Sequence, residues 1–114
     1  MNTAELTEAI CLAASDVGCL LVRNNSGLAV YKRKGKTYRV AYGVGPHGGG
    51  GGDLIGLTSA GVFVSIEIKV GSDARRKGQA DWHKWVIMRN GRSGIARTVE
   101  DALSIIAGGP GAPK

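Results

Sequence analysis

The sequence predicts a single α/β domain with a mixed central sheet flanked by helices, on three observations. The chain has 114 residues, which is room for one domain and hardly for two. A hydrophobic fraction of 43% and a charged fraction of 21% are those of a globular chain rather than a disordered one. Apolar residues recur at helical spacing near the start, alternate through the middle, and return to helical spacing twice towards the end. The order therefore reads helix, strands, helix, strand, helix.

The elements follow in turn. In residues 3–17, Leu6, Ile10, Ala13 and Val17 lie three or four apart, which makes an amphipathic helix. Thr3 is its expected N-cap, Glu5 and Glu8 sit near the positive end of its dipole, and Gly18 ends it. Residues 19–23 read as a short strand, and Asn24, Asn25, Ser26 and Gly27 as a turn. Residues 28–32 and 37–42 read as a hairpin with Arg33, Lys34, Gly35 and Lys36 at its tip. Residues 43–52 form a loop with seven glycines, five of them consecutive, together with Pro46 and His47. Residues 53–57 and 62–69 read as a second hairpin through Thr58, Ser59, Ala60 and Gly61. In its second strand Val62, Val64, Ile66 and Ile68 share one face, and Phe63, Ser65, Glu67 and Lys69 the other. A helix over 75–89 presents Trp82, Trp85 and Val86 for packing; the two tryptophans fit the core or a dimer face, the core being favoured. A strand over 94–97 and a Thr98-capped helix over 99–107, packing through Ala102, Leu103 and Ile106, complete a domain spanning 1–108. Residues 109–114 are expected to be a disordered tail.

Composition excludes several classes. No apolar run approaches the ~20 residues of a membrane span. Glu5 and Glu8 interrupt the start, which predicts no secretory signal. Cys11 and Cys19 are too few for a disulfide scaffold and read as small buried hydrophobes in a reducing, cytoplasmic setting. Neither has a basic or histidine neighbour suited to a nucleophile. His47 and His83 are too few and too far apart for a zinc site, and His47 reads as an exposed loop residue. The glycine loop has no Gly-Lys-Ser/Thr and precedes a strand, so it is neither a phosphate-binding P-loop nor a dinucleotide fingerprint, and no nucleotide cofactor is expected.

The net charge is +6 and unevenly placed. Between Asp16 and Asp73 the only acidic residues are Asp53 and Glu67, among Arg23, Lys32, Arg33, Lys34, Lys36, Arg39 and Lys69. Arg75, Arg76 and Lys77 form a second basic cluster. Such a surface attracts polyanions and releases their counterions. Two carboxylates inside that field are candidate metal ligands.

The second hairpin brings them together. With its turn centred near Ala60, paired positions sum to about 120, so Asp53 falls opposite Glu67 within one register step. Directly opposed side chains have Cβ atoms roughly 4.5–5.5 Å apart. Two carboxylates at that separation repel unless a cation lies between them. Lys69 shares their face. The set suits metal-assisted phosphodiester hydrolysis, with Mg²⁺ held by carboxylates, waters and a phosphate oxygen. Lys69 would orient water and stabilise charge on the phosphoryl group. On the following helix, Gln79 shares a face with Trp82 and Val86 and can reach the sheet edge.

In combination, AELTEAI, VRNNSG, GGGDLIGL, GVFVSIEIKVGS, KGQADWHKW and GIARTVEDAL resemble the virus-type replication-repair nuclease (VRR-NUC) domain of the PD-(D/E)XK superfamily. The resemblance covers nearly the whole chain and implies a restriction-endonuclease-like fold and a Mg²⁺- or Mn²⁺-dependent DNA endonuclease. It implies Asp53 and Glu67 as metal ligands, the Ile68 carbonyl as a backbone ligand, Lys69 as the catalytic lysine and Gln79 as the helix glutamine. It also implies a helix acid, Glu5 with Glu8 as the alternative. Lys32, Arg33, Lys34, Lys36, Arg75, Arg76 and Lys77 would contact DNA. Small stand-alone members look like homodimers cutting branched DNA such as four-way junctions, in a bacterial or phage-infected cell. The sequence departs from the pattern at Gly52, where the motif has proline, and at Thr7, where relatives often have glutamine. Other readings are a non-catalytic nucleic-acid-binding module and a nuclease subunit of a larger replication or repair assembly.

Overall fold

The structure, a computed structural model, describes residues 1–45, 51–71 and 77–109. Its elements are α1 (Thr3–Asp16), β1 (Leu20–Arg23), β2 (Gly27–Arg33), β3 (Lys36–Tyr42), β4 (Leu54–Leu57), β5 (Phe63–Ile68), α2 (Lys77–Ile87), β6 (Arg92–Ala96) and α3 (Val99–Ala107). Among the described residues no helix is long and apolar enough to cross a membrane.

Four strands make a mixed sheet in the order β1-β4-β5-β6. The β1–β4 and β4–β5 pairs are antiparallel, and β5–β6 is parallel. A parallel pair needs a crossover, and α2 supplies it. The second hairpin has the expected register: Leu54 opposes Ile66, Ile55 opposes Ser65, Gly56 opposes Val64 and Leu57 opposes Phe63. The first hairpin stays outside this sheet. β2 and β3 pair only with each other and form no substantial contact with the other helices and strands. Its turn is also tighter than expected, because Lys34 (φ 50°) and Gly35 (φ 74°) both take left-handed backbone and close a two-residue loop.

β5 is buried on both faces. Val64, Ile66 and Ile68 pack with Leu6, Ile10 and Ala14 of α1 and Ala102, Ile105 and Ile106 of α3 in the main core. On the other face the Phe63 ring meets the Trp82 ring edge-on, and the Trp82 indole N–H donates to Ser65 Oγ at 2.9 Å. The helices thus cover both sides of the sheet, with α2 alone over the face that carries Glu67.

Three end details differ from expectation. Asn2, not Thr3, caps α1: its side chain accepts the Glu5 amide at 2.8 Å while its own amide donates to Glu5 Oε1 at 3.0 Å. This reciprocal box needs a carboxylate three residues beyond the cap, and Thr3 would find Leu6 there. Trp82 and Val86 are buried, but Trp85 is exposed, stacked on Trp82 at 5.4 Å with the Arg89 guanidinium 3.9 Å from its ring centroid. In α3 the packing residues are Ala102, Ile105 and Ile106, with Leu103 half-buried. The Thr98 cap and the span of α3 are as expected, and Gly108 ends it in left-handed backbone. The tail beyond Gly109 lies outside the described residues.

Candidate active site

Asp53 immediately precedes β4. Its amide donates to the Ile66 carbonyl at 2.9 Å, and its Oδ2 accepts the Ile68 amide at 2.7 Å. Asp53 is thereby tied to the backbone on either side of Glu67. Glu67 is buried, and its Oε1 accepts from Gln79 Nε2 at 2.5 Å. The Lys69 ammonium lies 3.6 Å from the same oxygen, in an ion pair whose side chains are only 12% (Lys69) and 8% (Glu67) exposed. An ion pair this sheltered is much less screened by salt than one on the surface. Asp53, Glu67, Lys69 and Gln79 therefore stand together, as expected from the hairpin register for the carboxylates, from strand alternation for Lys69 and from the helix face for Gln79.

Asp53, Glu67 and Gln79 line a cavity of about 290 Å³ whose wall also includes Asn24, Gly51 and Gly52. Its lining is polar. A wider, mostly apolar groove of about 780 Å³ lies along α2, lined by Phe63, Asp81, Trp82 and Trp85, with neither Asp53 nor Glu67 in its wall.

Glu5 is not part of this group. Its carboxylate is engaged by the Asn2 amide at the exposed start of α1, and Glu8 is exposed further along that helix. Among the described residues no cluster of three or more His, Cys, Asp and Glu side chains comes together, so the third acid expected from α1 is missing from the site. Lys32, Arg33, Lys34 and Lys36 are exposed along the β2–β3 tip. Arg75 and Arg76 lie outside the described residues, as does the Lys77 side chain. His47 also lies outside them, whereas His83 is buried with Nδ1 2.6 Å from Ser93 Oγ.

The structure adds residues that sequence reasoning missed. Asn24, read as a turn residue, clamps the two ends of the glycine loop. Its Nδ2 donates to the carbonyls of Val44 at 2.7 Å, Gly52 at 3.1 Å and Gly51 at 3.4 Å, and its Oδ1 accepts the Val44 amide at 3.0 Å. Its backbone amide donates to the Asp53 carbonyl at 2.8 Å. Ser65 donates to the Gly51 carbonyl at 2.9 Å while accepting from Trp82, which links the loop to α2. The signal for Asn24 was its polarity next to a strand, but its partners lie 20 to 28 positions away. Gly52 has φ +85°, and a Cβ there would come within 2.4 Å of Ser65 Oγ. Proline holds φ near −65°, so the motif's usual residue cannot occupy this backbone.

Burial pushes the thiols of Cys11 and Cys19 above their ordinary value, as suits packing residues rather than nucleophiles. Compared with known proteins, the chain matches no family model and shows no significant similarity to a curated protein.

Proposed function

We propose that the chain is a Mg²⁺- or Mn²⁺-dependent DNA endonuclease that hydrolyses phosphodiester bonds, working as a homodimer on branched DNA. One observation carries the reading: two carboxylates and a helix glutamine line one polar cavity, and a lysine ammonium is ion-paired to the inner carboxylate that the glutamine holds. The basic, acid-free arm beside that cavity supports a nucleic-acid substrate.

The residues suit a hard divalent cation. Asp53 is anchored through Oδ2 and keeps Oδ1 without a hydrogen bond among the described residues, while Glu67 is held through Oε1. Asp53, Glu67 and the Ile68 carbonyl would hold the ion, which would polarise a phosphoryl oxygen and make bound water more acidic. Lys69 places its ammonium beside Glu67, where it can orient the attacking water and stabilise negative charge growing on the phosphoryl group. Gln79 holds the Glu67 carboxylate in one rotamer, so the charge it presents is preorganised. Gly52 keeps side-chain atoms away from the cavity wall.

Cleavage of labelled four-way junction, flap, single-stranded and duplex DNA tests this, with Mg²⁺, Mn²⁺ and chelator compared. The expected result is metal-dependent nicking concentrated on branched substrates. Cutting of every substrate alike would retain the site and remove the junction preference. Binding without cutting in any metal would favour the non-catalytic module.

A further inference from the structure

We propose that the β2–β3 hairpin is an arm that binds unpaired nucleobases, with Tyr31 and Tyr38 as stacking surfaces and Arg33 and Lys36 as phosphate contacts. The inference rests on the nucleic-acid substrate proposed above and specifies which part of it the arm engages. Alternate residues of a strand share a face. Tyr31 pairs with Tyr38 and Arg33 with Lys36, so one face carries two tyrosines and, one step nearer the tip, two cations. Tyr31 is 58% exposed and Tyr38 48%. A depression of about 640 Å³ opens between Tyr31, Lys32, Arg33, Lys34 and Tyr38. Aromatic rings for bases beside cations for phosphates are what single-stranded nucleic acid requires.

Charge decides between this occupant and a second copy of the chain. The arm carries Lys32, Arg33, Lys34, Lys36 and Arg39 and no acidic residue, and the whole chain is at +6. Buried against its own kind, the arm would set like charges together. Against a strand of phosphates it is complementary.

The arm is also placed to serve the cavity. Its strands leave and return through Asn24 and Val44, which are bonded to each other, and Asn25 and Ser26 at its root line the cavity with Asp53 and Glu67. Tyr31 lies four residues beyond Gly27, or about 13 Å along the strand at ~3.3 Å per residue. That is about four stacked nucleotides at ~3.4 Å each. A strand with its scissile phosphate in the cavity can therefore lay nearby unpaired bases on the arm.

Fluorescence anisotropy with a labelled oligothymidylate, an abasic strand of equal length and a duplex tests the arm. All three are measured in chelator, so that cleavage plays no part. Tyr31→Ala/Tyr38→Ala is expected to bind oligothymidylate about tenfold or more weakly, since one base–aromatic stack contributes about 1–3 kcal/mol. Abasic strand and duplex should bind as they do to wild type, and Tyr31→Phe/Tyr38→Phe should keep wild-type affinity throughout. Unaltered thermal unfolding of the double alanine variant checks that the body remains folded. Equal losses on all three ligands, or none on any, would overturn the proposal. So would a change from dimer to monomer with DNA affinity intact, which would make this face a contact between copies. A protein that stacks bases in this way but never cuts DNA would keep the arm's role and refute the nuclease reading.

Discussion

Gly52 shows how tightly one backbone position can be tied to glycine. Its φ of +85° and the 2.4 Å approach of a notional Cβ to Ser65 Oγ leave glycine as the fitting side chain. Gly52→Pro, which would restore the motif's sequence, is expected to damage the protein. So is Gly52→Ala, where left-handed backbone alone costs an L-residue about 1–2 kcal/mol. For a domain near this size that lowers the melting temperature by roughly 5–15 °C, as calorimetry would measure. An unchanged melting temperature in either variant would contradict the geometry. The same scale shows what the sequence made legible. Asp53, Glu67, Lys69 and Gln79 could be grouped because a tight hairpin turns pairing into arithmetic and the next helix is close in sequence. Asn24 and Ser65 could not, because their loop partners are fixed only by the closed fold.

At the scale of elements, α1 separates a structural role from a catalytic one. Glu5 was expected as the site's third acid only because the family resemblance implies an acid at the start of this helix. The Asn2–Glu5 box assigns it to the cap. Asn2→Ala should cost about 1 kcal/mol of stability. Glu5→Ala should lower the melting temperature while cleavage per folded molecule stays at the wild-type level. Loss of cleavage by Glu5→Ala at a temperature where it is folded would return Glu5 to the site. The last helix was legible in its Thr98 cap and its span, which lie in one short stretch, but not in its full packing face, where Ile105 rather than Leu103 is buried. The β2–β3 hairpin was legible as two strands but not as a separate sheet. Alternation shows which residues share a face, not whether another element covers it.

Across the whole molecule, helices cover the sheet unequally. On the α2 side the β5–β6 half is covered, but Leu20 of β1 and Leu57 of β4, paired in register, stay exposed beside Val22. An apolar row at the edge of a sheet suits a self-complementary contact between two copies. If the proposed homodimer uses this row, Leu57→Glu is expected to give a folded monomer in light scattering, with a melting temperature that no longer rises with protein concentration; a dimer that persists would place the contact elsewhere. Whether Asp53, Glu67 and Lys69 form one hydrolytic site, as proposed, is decided by single-turnover cleavage of branched DNA in Mn²⁺ by wild type, Glu67→Ala and Lys69→Ala, with DNA affinity measured in chelator for each. Wild type is expected to cleave, neither variant to cleave, and all three to bind DNA equally well. Normal cutting by either variant would contradict the proposed site.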